Sequence, residues 1–391
     1  MHSKNIIRLH VVDSLRGFAL MGLFLVHMVS FYGLHWIQPN PSASYDVVMW
    51  LFGGKAYALF ALLFGLSFYI IMDSQAKKGV DFRSRFCWRM TVLFGIGYLH
   101  SLFYSADILQ ILAVSGILLV MMHSMGNTIL LAISLLFILQ IPTYSFLAYL
   151  AYHPEVANSN PTFWALTEIS NNVAATGSFT DVLYANALES HLGKWFFYLE
   201  SSRLWNIIGL SMFGLWLGRI GFFTQFDEQK KRYVFVLLIG IIISFLIYRV
   251  AEYFNQVAIQ ESLVRWSAGS IIYSYLNLTL MMTAAILFVF CFQVNVLQRF
   301  LDHLAPCGRM TLTLYVAQSV IFTPIFFHYG LGLYDTISHN TAIILFVLLW
   351  VAQMLFANIW FRYFQYGPLE WIWRVTTFTR IDIPFRVKTA E

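Results

Sequence analysis

From Leu15 to Trp36 the chain is apolar for long enough to cross a bilayer as a helix, and runs of similar length recur along it. Inside hydrocarbon every backbone N–H and C=O must find its partner within the protein. Continuous runs of about 20 apolar residues therefore specify helices, whereas a barrel would show shorter, alternating segments. The pattern predicts about ten spans, at 15–36, 47–72, 89–105, 107–124, 127–151, 200–220, 234–255, 271–293, 310–330 and 341–363. Only Ser105 and Ala106 separate the third from the fourth. Composition points the same way: 59% of residues are hydrophobic and 11% charged, far from an average soluble domain. The expected fold class is an all-α integral membrane protein. Its first span reads as uncleaved, being too long for a signal peptide and lacking a small-residue cleavage site.

The net charge of +5 is read by membrane side and not as a sign of a nucleic-acid partner. With the N-terminus in the cytosol, the inner side collects Lys4, Arg8, the Lys77 to Arg89 cluster, Arg219, Lys230 to Arg232, Arg299, Arg309 and the basic tail. Both termini are then cytosolic in a multi-pass protein. Three regions follow: an N-terminal helical half over 1–151, an extracytoplasmic segment over 152–199, and a C-terminal half over 200–391 ending in the basic tail. The middle segment reads either as short helices over the outer mouth or as a plain connector. Lys194 falls at an outer helix end, where interfacial anchoring is the default. Cys87, Cys291 and Cys307 lie in or near cytosolic segments, and their spacing suggests no metal site. After Pro368, a stretch with Trp371, Trp373 and Arg374 is suited to the inner membrane surface.

Ionisable groups inside such spans are costly, and they usually face the protein interior or a water-filled cavity. Arg16 and His27 are eleven residues apart, on one helix face and roughly 16 Å apart along the axis. Asp13 lies three residues before Arg16 and can pair with it. Arg89 and His100 repeat the eleven-residue spacing, and Asp107 shares the face of His100 if the helix continues. Asp107 is then the group to orient a histidine or to neutralise Lys55. Lys55 either snorkels outward or is a buried cation beside substrate. A lone histidine on an apolar face can equally be a packing residue.

Asp13-Ser-Leu-Arg-Gly-Phe-Ala-Leu-Met-Gly, Lys55 with Leu62-Leu-Phe-Gly65, and His100 with Asp107-Ile-Leu form one set of motifs. Gly308-Arg-Met-Thr-Leu-Thr-Leu-Tyr with Gly367-Pro-Leu-Glu-Trp form a second, more specific set. Together they resemble the bacterial YeiB-like family of multispan proteins. That family looks like a branch of the transmembrane acyl-transferase superfamily, beside the acyltransferase-three proteins and heparan-alpha-glucosaminide N-acetyltransferase. Arg16 and His27 also fit the arginine, ten residues and histidine of the acyltransferase-three first span. YeiB-like proteins often carry asparagine where His27 stands, which leaves open which histidine does the chemistry. They also tend to have Gly before the aspartate and Tyr-Ala after it, where this chain has Ala106 and Leu112-Ala113.

The resemblance implies acyl transfer from cytosolic acyl-CoA, with acetyl-CoA the expected donor, to an extracytoplasmic hydroxyl or amine on a sugar, glycan or lipid-linked acceptor. Such chemistry needs a base for the acceptor proton and a donor or cation for the developing oxyanion. His100 or His27 would be the base, Asp107 its orienter and Lys55 an oxyanion partner. Arg16 and Arg89, with Asp13 and Arg309 nearby, would meet the donor's phosphates at the inner mouth. The expected location is the bacterial cytoplasmic (inner) membrane, with lipids as neighbours and a homodimer compatible. Two other readings remain open: a proton-coupled transporter or flippase of a lipid-linked or small polar substrate, and a structural or sensory membrane protein.

Overall fold

The computed structural model describes residues 2–37, 39, 41–222, 226–257 and 261–387, without the side chains of 2–9 and 226–229. Among the basic groups assigned to the inner side, the side chains of Lys4 and Arg8 and residue Lys388 of the tail lie outside what is described. The described residues form helices and one isolated bridge, Phe364 to Arg386. In chain order these are α1 (His2–Val26), running into a π-helical turn (His27–Phe31), α2 (Ala43–Leu51), α3 (Lys55–Ala76), α4 (Arg83–Phe103) and α5 (Leu109–Met122). There follow α6 (Asn127–Ile138), α7 (Ile141–Tyr152), α8 (Pro154–Ala157), α9 (Thr162–Thr176), α10 (Phe179–Ala187), α11 (Glu189–Glu200) and α12 (Arg203–Arg219). Then come α13 (Phe226–Gln256), α14 (Leu263–Phe292), α15 (Asn295–Leu301), α16 (Ala305–Arg309), α17 (Thr311–Phe326), α18 (His339–Tyr363) and α19 (Pro368–Phe378).

Among the described residues, five helices are long and apolar enough to cross a membrane: His10–Phe31, Ala43–Ala76, Lys230–Gln256, Leu263–Phe292 and His339–Tyr363. A sixth is added if α6 and α7, bent by 44°, form one span. That bend breaks the predicted span 127–151 for a local reason. Gln140 stands at φ +60°, and Pro142 opens the next helix, where its ring restricts the residue before it. Of the other expected spans, α5 and α17 are apolar but only 14 and 16 residues long. At 1.5 Å per residue these rise roughly 21 and 24 Å, short of a full hydrocarbon core. The expected second span is interrupted at Gly54, whose φ of +75° turns the chain before Lys55 starts α3.

One hydrophobic core runs through both halves of the chain. Its centre is α1, of which 78% of the apolar window is buried, against 11% for α13 on the periphery. Two backbone approaches hold the centre. A Cβ on Gly308 would overlap the Asp13 carbonyl, and one on Gly17 would overlap the Leu304 carbonyl, so α16 lies directly on α1. Gly65 and Gly214 meet the Ser211 and Leu62 carbonyls in the same manner, joining α3 to α12. Small residues at such crossings let backbones touch, which substitutes dispersion for the hydrophobic drive that lipid removes.

The C-terminal motifs also interlock. The Glu370 carboxylate accepts from the N–H groups of Leu312 (2.7 Å) and Thr313 (3.1 Å) and from the Thr313 hydroxyl (2.5 Å). It thereby caps the first turn of α17, whose N–H groups have no partners within the helix. The Thr313 hydroxyl in turn accepts from the Leu369 N–H at 3.0 Å. Helix α19 is thus fixed to the protein as well as suited to a membrane surface. Trp373 donates to the Arg89 carbonyl at 2.8 Å, pinning α19 on α4.

Candidate active site

His100 occupies the last turn of α4, which ends at Phe103. The helix does not continue to Asp107, as the shared-face expectation required. Tyr104 takes an extended conformation (φ −143°, ψ 102°), and the chain turns back before α5 starts at Leu109. The turn nevertheless delivers the expected pair: His100 Nδ1 lies 2.8 Å from Asp107 Oδ1, with side-chain exposures of 1% and 0%. A carboxylate only accepts, so Nδ1 carries a proton, and in the neutral imidazole Nε2 then holds the lone pair. Nε2 is buried and has no protein partner among the described residues. A base with an oriented tautomer and an unused lone pair is what general-base catalysis requires.

Aromatic side chains enclose this lone pair. Ring centroids of Tyr315 and Tyr104 lie 5.1 and 6.0 Å from that of His100. His27 joins from the π-helical turn of the first span, with Tyr104 at 5.2 Å and Tyr315 at 6.1 Å. The turn is defined by the bond from the Tyr32 N–H to the His27 carbonyl, 2.9 Å, five residues apart. Such turns inside helices are frequent at functional sites. Tyr32 lies 5.2 Å from Tyr104, and its hydroxyl is 3.2 Å from that of Ser319. His27 Nδ1, the Tyr104 hydroxyl and Gln110 Nε2 are also buried without a protein partner. Each unpaired buried group costs about 1–3 kcal/mol, so their gathering in one cluster points to a ligand or a reaction.

The other predicted residues stand elsewhere. Arg16 pairs with Asp13 at 2.6 Å, as the spacing anticipated, and also bonds the Ser67 hydroxyl. Arg309 is near enough to Asp13 for their charges to interact, and its guanidinium sits 3.9 Å from the Phe361 ring centroid. Arg89 forms a separate group, stacked 3.6 Å from the Trp373 ring centroid. Lys55 is buried and donates to the Met49 carbonyl at 3.2 Å. Asp107 bonds His100, and Lys55 is held by backbone.

Lys194, expected at the interface, is instead 4% exposed, and its Nζ donates to Gln110 Oε1 at 2.5 Å. Tyr32, Tyr104 and Gln110 escaped the sequence reading, which met Tyr315 only as the end of the Gly308 motif and Lys194 only as an interfacial anchor. A tyrosine four residues after a histidine gives no distinctive signal, and Lys194 lies 84 residues from its partner.

Residues 152–199 fold as helices over this region, so the segment is a cover as well as a connector. Asn186 donates to the Leu102 carbonyl at 3.0 Å, Ser170 to the Ser105 hydroxyl at 3.2 Å, and the His328 N–H to the Ala174 carbonyl at 2.9 Å. Beneath them a cavity of about 30 Å³ reaches Tyr104, lined by Ser105, Ser170, Asn171 and Asn186 among others.

Two family patterns match the chain. Residues 8–184 match "Heparan-alpha-glucosaminide N-acetyltransferase, catalytic", and residues 217–380 match "Protein of unknown function (DUF418)". The uncharacterized protein YxaH of Bacillus subtilis (strain 168) is 24% identical over 407 residues, covering 95% of this chain and 94% of that protein. The uncharacterized protein YeiB of Escherichia coli (strain K12) is 27% identical over 413 residues, covering 94% of this chain and 95% of that protein. An uncharacterized 39.9 kDa protein in the amylase 3' region of Bacillus acidopullulyticus is 24% identical over 381 residues, covering 95% and 94%. The His100–Asp107 cluster falls within the acetyltransferase match and the Glu370 interlock within the second, and the chain is similar to YeiB along nearly its whole length.

Proposed function

We propose that this protein is a membrane-embedded acyltransferase. It moves an acyl group from cytosolic acyl-CoA, with acetyl-CoA the expected donor, to an extracytoplasmic hydroxyl or amine on a sugar, glycan or lipid-linked acceptor. The observation that carries the reading is the buried His100–Asp107 pair with its unused Nε2 lone pair. The match of residues 8–184 to an acetyltransferase catalytic pattern supports it. His100 takes the acceptor proton as the acceptor attacks the thioester carbon, and Asp107 holds the imidazole and stabilises its cationic form. Arg16, held by Asp13, meets the donor's phosphates on the cytosolic side together with Arg89 and Arg309. The cavity under α9 and α10, at about 30 Å³ the size of one water, marks the side from which the acceptor approaches Tyr104 once the cover opens.

The reading carries a topology with it. Counting α4, α5, α12 and α17 as crossings beside the longer helices, and α6 with α7 as one, gives ten spans with both termini cytosolic. The location is then the bacterial inner membrane, crossed many times. Purified protein is incubated with labelled acetyl-CoA and glucosamine, which offers both an amine and hydroxyls. Release of CoA with labelled product, abolished by His100→Ala, supports acyl transfer; neither, from a folded protein, overturns it. The alternative, a proton-coupled transporter, draws on the buried His100–Asp107 pair and the buried His27, titratable groups that also suit a proton relay.

A further inference from the structure

The buried cluster contains a cation that the scheme above leaves unused. Lys194 comes from α11 of the cover, where Gly193 lies against Leu166 and lets the helix settle inward. Its Nζ donates to Gln110 Oε1 at 2.5 Å. An ammonium has donors and no acceptor, so the Gln110 amide can face it only through oxygen. The amide orientation is therefore dictated by chemistry, and its NH2 group must point away from Lys194. That NH2 group is buried and has no acceptor among the described residues.

Gln110 is also tied to the histidine pair. Its backbone N–H is 3.4 Å from Asp107 Oδ2, and its Cγ would lie 3.0 Å from a Cβ on Gly97, three residues before His100. The Gln110 stem thus rests on α4 about one turn before His100, on the helix that carries the base. A cation bonded to the amide oxygen withdraws charge from the nitrogen and strengthens its N–H groups as donors. Burying a lysine to leave two strong donors unused is a net cost to folding. It is a gain once negative charge develops beside them.

We infer that the Gln110 side-chain amide donates to the oxyanion formed during acyl transfer, and that Lys194 is the positioning residue that fixes it donor-side inward. The inference rests on acyl transfer with His100 as base. The acceptor heteroatom bonds to the thioester carbon as its proton passes to His100 Nε2. The carbonyl electron pair moves to oxygen, where Gln110 Nε2–H holds it. When that pair returns, the C–S bond breaks, and the departing sulfur takes the proton from His100 as free CoA. The ester or amide product keeps the acyl group.

The test compares four variants in proteoliposomes, reading CoA thiol release from acetyl-CoA with glucosamine, and thermal melting. Gln110→Glu keeps an oxygen for Lys194 but replaces the NH2 group by a second acceptor. Its kcat should fall on the order of 10²–10³-fold, the scale for losing an oxyanion donor, with KM for acetyl-CoA within about threefold. Lys194→Met, which frees the amide to turn, should lose kcat similarly, and Lys194→Arg should restore kcat to within about tenfold of wild type. Should Lys194→Met fail to fold, Lys194→Arg and Gln110→Glu still decide. Wild-type kcat in Gln110→Glu, with His100→Ala inactive, overturns this inference and leaves acyl transfer standing. An active His100→Ala, or a wild type that releases no CoA, overturns acyl transfer and this inference with it.

Discussion

Replacing Asp107 by Asn exchanges one heavy atom, an oxygen for an NH2 nitrogen, at the heart of the candidate site and leaves its shape. Asp107 has two partners, His100 Nδ1 at 2.8 Å and the Gln110 backbone N–H at 3.4 Å. Both are donors, and Asn has one acceptor oxygen. A backbone N–H cannot change its role, whereas an imidazole can. The Asn oxygen is drawn to Gln110 and its NH2 to His100, which must then accept at Nδ1 and carry its proton on Nε2. The lone pair that would take the acceptor proton is gone. General-base contributions are about 10²–10⁴-fold, so kcat should fall by that factor, or about 3–5 kcal/mol in barrier. Because the two residues act as a unit, His100→Ala should be as inactive, and the double variant no worse. Stability should drop by about 1.5–3 kcal/mol, the worth of a hydrogen bond to a charged group. CoA release from acetyl-CoA with glucosamine measures the first effect and melting of the solubilised protein the second. An Asp107→Asn protein within threefold of wild-type kcat would refute the reasoning.

Other perturbations separate roles within the fold. His27→Asn, which installs the residue common in YeiB-like relatives, should be tolerated better than His100→Ala in the CoA-release assay; the reverse order would move the base to the first span. Burial pulls the Lys194 ammonium down to about 8, against the opposing pull of the Asp107 carboxylate. The wild-type rate should therefore fall above about pH 8 as Lys194 loses its proton, and in Lys194→Arg that alkaline fall should vanish because a guanidinium stays charged. A wild-type profile flat to pH 10 would count against the assignment. Gly308→Ala places a methyl against the Asp13 carbonyl, a backbone atom that cannot swing away, and should cost about 1–3 kcal/mol in melting experiments. Glu370→Ala removes the cap of α17 and should lower stability by about 1–3 kcal/mol while kcat per folded molecule is kept.

What could be read from sequence was local. Asp13 and Arg16 are one helical turn apart, and they pair. His100 and Asp107 also pair, though by a chain reversal at Tyr104 and not by the continuous helix that their spacing suggested. The bend at Gln140 was hidden because a glutamine at positive φ carries no signal of its own beyond the nearby Pro142. The enclosure of His100 was illegible for a different reason. Tyr315 reaches it from α17, Lys194 reaches the adjoining Gln110 from α11, and no periodicity links residues brought together by packing alone. Lys194 looked like an anchor because lysines at helix ends ordinarily reach water. Its burial depends on Gly193 and on the acceptor offered by Gln110. The docking of α19 likewise depends on Glu370 meeting the start of α17, a contact between motifs 57 residues apart.

The most direct test of acyl transfer across the membrane uses inside-out vesicles, whose outer surface is the cytosolic face. Glucosamine is sealed inside, and acetyl-CoA labelled separately in its acetyl and CoA parts is added outside. The account predicts acetyl label on the enclosed glucosamine, with the CoA label remaining outside as free thiol, and neither in vesicles bearing His100→Ala. CoA label accumulating inside, or an unmodified acceptor in vesicles containing folded wild-type protein, would contradict it.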